Sequence, residues 1–176
     1  MNSSHEDLIE LFGFVWQRFR RRMDGLTDAE YFWEPVPDCR TVRSTVEGPA
    51  RSDGPAQQGD HSLFTTLAWR LCHIVDLLWE DRTGPWLGQP DAPRRGRRGD
   101  AGTAAEVLIH LDQAYASWHR LLLACAEPAL QEPIGPVGGL YAESTRRSFA
   151  LHILDELIHH GAEAALLRDL YLASKA

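Results

Sequence analysis

Residues 148–171, SFALHILDELIHHGAEAALLRDLY, decide the fold class. At about 100° per residue, with Glu156 set to zero, Phe149 and Leu167 fall near 20°, Ile153 and Tyr171 near 60° and Leu157 near 100°. A one-sided apolar stripe of this kind marks an amphipathic helix, which the pattern predicts over residues 144–173. On the same wheel His160 lies inside the stripe, between Phe149 and Ile153, while Glu163, His152 and His159 fall progressively further to the other side of Glu156. Glu156 and His160 therefore stand where packing alone would place Leu or Ile. Their spacing of four sets both side chains on one face, one turn apart, as a helix presents two ligands to one metal ion.

Working outward, the same periodicity recurs three times. Leu8, Leu11, Phe12, Val15, Trp16 and Phe19 predict a helix over residues 5–23, with Asn2, Ser3 and Ser4 as candidate caps. Thr27 and Glu30 form a capping-box pattern for a short helix that must end before Pro35. Leu63, Leu67, Leu71, Ile74 and Leu78 predict a second long helix over residues 61–82, stopped by Thr83, Gly84 and Pro85. Val107, Leu111, Ala114, Trp118, Leu121, Leu122 and Cys125 predict a third over residues 103–126. Between them, residues 36–60 read as a long loop rich in Pro, Gly, Ser and Asp, and residues 128–139 as a Pro/Gly-punctuated connection. Strand-like alternation and internal repeats are not apparent. One all-α domain over residues 1–176, a four-helix bundle with long crossover loops, is the expected architecture.

Composition narrows the function. The 176 residues are 44% hydrophobic and 24% charged, ordinary globular values that leave a sizeable core and argue against disorder. Eighteen basic residues against 25 acidic give a net charge of −7, the wrong balance for a duplex-binding protein. Arg94, Arg95, Arg97 and Arg98 lie in a Pro/Gly context without aromatic residues and read as a solvated linker. No apolar run reaches membrane-spanning length and the first residues carry no basic-then-apolar signal, so the expected location is the cytoplasm. Cys39, Cys72 and Cys125 are odd in number and form no C-x-x-C pair, so reduced thiols are expected, and Cys72 reads as inert packing.

Two readings of Glu156 and His160 stand side by side. In one, an arginine across the bundle pairs with Glu156 and His160 is a satisfied core histidine. In the other, both residues bind a divalent metal, and His73, at the edge of the second helix's apolar stripe, completes the set. Two imidazoles and one carboxylate with an open position form the ligand pattern of catalytic zinc and of facial-triad iron. His152 and His159 would then point away. Ser144, His119 and Asp112 make a nucleophilic triad only on paper, because no G-x-S-x-G elbow accompanies them. Trp69, Trp79, Trp86 and Trp118 read as interhelical packing.

Three stretches carry a resemblance to a known family: GLTDAEYFWEPVP at 25–37, TTLAWRLCHIVDLLWEDRTGPWLG at 65–88 and HILDELIHHGAEAALLRDLY at 152–171. The sequence resembles the DinB-like superfamily, and within it the actinobacterial branch related to mycothiol-dependent enzymes. The resemblance implies an up-down-down-up connection of the bundle. It also implies a metal held by a histidine on the second helix and an H-x-x-x-H pair on the last. His73 and His160 match two of these positions, and Glu156 stands where many relatives have histidine. Zinc is the expected metal, with nickel and iron compatible. The implied activity is a metal-dependent S-transferase that joins a low-molecular-weight thiol such as mycothiol to a small electrophile; in such an enzyme Glu163, one turn beyond His160, would orient a ligand or shuttle a proton, the alternative being an exposed surface carboxylate. A maleylpyruvate-type isomerase and a non-catalytic bundle with a structural or sensory metal are the alternatives. From the resemblance and the apolar surplus on the first and third helices, a homodimer is expected.

Overall fold

Four threonines set where helices begin. Thr27, Thr66, Thr103 and Thr145 each hold an extended backbone and accept, on the side-chain oxygen, the amide hydrogen of the residue three positions on. The helices they start are α2 (Asp28–Tyr31), α3 (Leu67–Trp79), α5 (Ala104–Ala124) and α7 (Arg146–Ala173), while α1 is Ser4–Arg22. One-turn helices α4 (Thr83–Trp86) and α6 (Glu127–Leu130) and a 3-10 turn at Pro136–Tyr141 fill the connections. This computed structural model describes residues 4–45, 48–54, 64–96 and 99–175. The candidate caps Asn2 and Ser3, the helix start at His61 to Leu63, and Arg97 and Arg98 lie outside the described residues.

Two expectations are corrected. Residues 36–60 are not all loop: Val42–Thr45 (β1) pairs antiparallel with Gly48–Ser52 (β2), with an irregular register between Arg43 and Thr45. Strands this short, one carrying Gly48 and Pro49, offer too few positions for alternation to show. Their anchors are non-local, since Ser52 N donates 2.5 Å to Asp100 Oδ2 and Thr41 N donates 3.0 Å to Asp53 Oδ2. Nor does the second long helix run to residue 82. It starts at Leu67 because Thr66 caps it, and ends at Glu80, whose ψ of 150° leaves the helix; Thr83, Gly84 and Pro85 then form α4.

The four long helices bury most of the stripes read from their spacing, with Leu11 of α1 left 46% exposed. Phe12, Leu71, Ile74, Val107, Leu111, Trp118 and Ile153 are wholly shielded from solvent. Helix α3 packs against both α5 and α7, and α1 packs against α7 and α5. Gly161 lets α1 approach α7 beside the site, because a Cβ there would lie 3.3 Å from the Phe19 ring. No described helix is long and apolar enough to cross a membrane.

An ion pair ties three elements together beneath this packing. Arg168 Nε donates 2.9 Å to Glu30 Oε1, and its Nη1 donates to the carbonyls of Arg22 (2.6 Å) and Asp24 (2.8 Å). The second Glu30 oxygen accepts from Thr27 N at 3.0 Å, which completes the capping box. Burial pushes the Glu30 carboxyl up, but the bonds from Arg168 and Thr27 outweigh it and hold the group below the usual carboxylate range. Replacing Arg168 by Ala leaves a buried carboxylate without its partner and is expected to cost about 3–5 kcal/mol near neutral pH. A depressed folded-state pKa gives stabilisation that is present above the unfolded value and lost as pH falls through the folded value. Urea melts of wild type and Arg168→Ala should therefore converge in acid.

Candidate metal centre

Helix α7 places Glu156 and His160 on one face and α3 brings His73 to them. His160 Nε2 lies 2.9 Å from Glu156 Oε2, and His73 Nε2 lies 3.8 Å from the same oxygen. The two imidazoles meet edge-on with centroids 4.6 Å apart. One donor atom from each of the three residues falls within 4.8 Å of the others. Ligand atoms about 2.1 Å from a tetrahedral ion stand about 3.4 Å apart, so the observed separations bracket what a small divalent cation requires. The donor set fits such an ion in type and spacing.

Around this set lies a second layer that fixes ring orientation. His160 is buried and its Nδ1 lies 2.7 Å from Glu163 Oε2; with the ring proton on Nδ1 this carboxylate is its acceptor, and Nε2 turns its lone pair toward Glu156. Arg70, one turn before His73 on α3, donates 3.1 Å to the same Glu163 oxygen. Trp69 stacks on His73 at 5.2 Å and 20°, and donates its indole hydrogen 2.7 Å to the Asp53 carbonyl next to β2. Glu163, expected to orient a ligand or shuttle a proton, stands behind the ligand candidate His160. Trp69, read as interhelical packing, is instead a wall of the site.

Among the described residues, Glu156 faces His73 and His160 rather than an arginine. Its side chain keeps 27% of its exposure, so it sits at the rim of the core and not within it. The nearest arginine, Arg70, pairs with Glu163 and not with Glu156. Burial, followed by the neighbouring His160, pulls His73 down to about 4, so at neutral pH its imidazole is uncharged and available to a cation.

His73 opens on a cavity of about 570 Å³ whose other walls include Trp69, Asp53 and Asp76, with Arg95 and Asp100 opposite. Arg95, read as part of a solvated linker, is instead half-buried: it donates 2.5 Å to Asp76 Oδ1 and lies over Trp79. No local pattern distinguishes it from Arg94, because Asp76 is far away in sequence. His152 lines a separate cavity of about 320 Å³ with Trp86, Tyr141 and Ser144. His159 is exposed and faces Glu163 Oε1 at 3.4 Å, outside the Glu156 set. The paper triad dissolves: Asp112 is bound by Arg20 at 2.8 Å, His119 lies against Tyr115, and Ser144 lines the cavity with His152.

The three cysteines are free and buried. Burial pushes the Cys72 thiol up to about 12 and raises Cys39 and Cys125 as well, so the chain carries no ready thiolate among them.

A helical domain with a two-His, one-carboxylate cluster between two of its helices belongs to a recognisable class. The profile of the DinB superfamily matches residues 11–164, nearly the whole domain, and the chain belongs to that superfamily. DinB-like proteins bind metal, and His73, Glu156 and His160 form a possible site for it here. No curated protein matches the chain.

In metal-free protein the His73 ring resonances are expected to stay fixed from pH 8 down to about 5.5 and to move only in stronger acid. A proton NMR titration with His73→Gln as the assignment control checks this; a midpoint near the ordinary value of about 6.5 would contradict the buried, depressed group.

Proposed function

We propose that His73, Glu156 and His160 hold one divalent metal, zinc first and nickel or iron next, in a thiol-dependent S-transferase that acts on a small electrophile. The observation that carries this reading is the convergence of the three donors beside an open polar cavity, in a chain whose own thiols are buried and protonated. A divalent ion held there would supply the positive charge that keeps a thiolate ionised near neutral pH. The residues do the rest. Glu163 keeps the His160 ring turned with Nε2 toward the site, and Trp69 holds the plane of His73. Asp53, Asp76, Arg95 and Asp100 give the cavity walls suited to a polar, hydrogen-bonding thiol such as mycothiol. The hairpin that carries Ser52 and Asp53 closes the side from which an electrophile would enter.

The hydrophobic core is built from apolar residues of all four long helices and not from the three donors, which argues against a purely structural metal. Domain folding then does not depend on the ion. The packing of α1 on α7, α7 on α3, α3 on α5 and α5 on α1 supports closure into a four-helix bundle with up-down-down-up connection, as in the actinobacterial branch the sequence resembles. The reading includes a cytoplasmic location and a homodimer, the latter supported by the exposed Leu11 and Phe14 of α1 and Ile109 and Leu123 of α5. Light scattering at micromolar concentration should return twice the chain mass; a monomer would count against the dimer.

The test is elemental analysis of protein prepared without added nickel or chelator, followed by thiol consumption assays with small electrophiles. One metal per chain is expected, lost on His73→Ala or His160→Ala. Chelation should abolish thiol consumption while helical circular dichroism and cooperative melting persist, and zinc should restore turnover. Collapse of the fold on chelation, with no turnover for any thiol, would assign the metal a structural role.

A further inference from the structure

The donor groups of α7, with His73 of α3, make two overlapping ligand sets. One is His73, Glu156 and His160; the other is His159, His160 and Glu163, whose donor atoms also lie within 4.8 Å of one another. His160 is common to both and carries two ring nitrogens, so a single imidazole could bridge two ions. Exposure even favours the second set for entry, since His159 lies at the surface.

Arg70 occupies that second set. Its Nη1 stands 3.0 Å from His160 Nδ1 and 3.1 Å from Glu163 Oε2, the two inner donor atoms of the set. A metal about 2.1 Å from each would stand within about 4.4 Å of this guanidinium nitrogen, where the two positive charges repel. The side chain is itself well buried, at 13% exposure, lies over Trp69 at 5.1 Å, and has no bonding partner for Nε. A guanidinium keeps its charge at every working pH and cannot become a ligand. It therefore competes for Glu163 as a permanent cation without donating electrons to anything.

We propose that Arg70 acts as an internal cation that fills the His159–His160–Glu163 set, so that His160 offers only Nε2 to a metal and the centre takes one ion. Glu163 accepts both from Arg70 and from His160 Nδ1, and this shared oxygen positions the ring. Arg70 is thus a positioning residue that decides where the cation goes, and the proposal rests on the metal reading above.

Zinc titration in competition with a chromophoric chelator tests it by stoichiometry. Wild type and Arg70→Lys, which keeps the charge, should bind one equivalent. Arg70→Met and Arg70→Gln should bind two, and adding His159→Ala to either should remove the second. Nitrogen-15 histidine spectra of zinc-loaded wild type give a reading that needs no variant: His160 should show Nε2 coordinated and Nδ1 protonated. One equivalent in both folded neutral variants, a second equivalent that survives His159→Ala, or Nδ1 coordination in wild type would each overturn the proposal. Wild type that binds no zinc at all would instead defeat the metal reading, a distinct result.

Discussion

Helix α3 is wedged between α5 and α7, and the position of every group in the candidate centre follows from that wedge. Leu67, Leu71, Ile74 and Leu78 are buried and commit one face of the helix to the core. Arg70 and His73, three apart, are carried on the flank that this face leaves over, and both reach toward α7. A rotation of α3 by one residue would move about 100° of helix surface and withdraw both at once. The apolar packing of α3 therefore sets the register of polar groups that contribute little to the core themselves. The close approach of α1 at Gly161, next in sequence to His160, holds α7 from its other side.

Two kinds of buried charge serve different ends in this fold. Glu30 and Arg168 pair with each other and with backbone groups, so the demands of both are met locally and the pair joins α1, α2 and α7. Around His160 the carboxylates of Glu156 and Glu163 flank a single ring, and one of them is shared with Arg70. Half-burial matters here. At the rim of the core the carboxylates keep some hydration, which lowers the cost of holding them without an ion and leaves a path for one to enter. A fully buried Glu156 would have demanded a permanent partner.

The cavity beside His73 shows how a helical domain makes a recognition surface from non-helical pieces. Ser52 and Asp53 come from the hairpin region, and Arg95 and Asp100 from the segment before α5. Bonds from Asp100 to the hairpin backbone and from Arg95 to Asp76 turn these segments inward. Loops that would otherwise be solvated thus give the site its polar walls, while the helices supply its donors.

The existence of the long helices, most of their buried faces, the capping box at Thr27 and Glu30, and the placing of Glu156 and His160 one turn apart could all be read from the chain in order. Each depends on spacings of three or four within one helix, and such spacings survive any tertiary arrangement. His73 was legible as a candidate because it borders an apolar stripe, and the family resemblance singled out the same residue. The hairpin, the start of α3 at Thr66, the inward turn of Arg95, the stacking of Trp69 on His73 and the capture of Glu163 by Arg70 were not legible. The hairpin strands are too short for a period to show, and the apolar spacing that runs back to Leu63 hides the local cap at Thr66; the others join residues far apart in sequence or depend on which way a side chain leaves its helix, and no local period encodes that. Glu163 is the sharpest case: its place on the helix wheel and an orienting role were expected, but its pairing with the guanidinium of Arg70 on another helix exists only because α3 packs against α7.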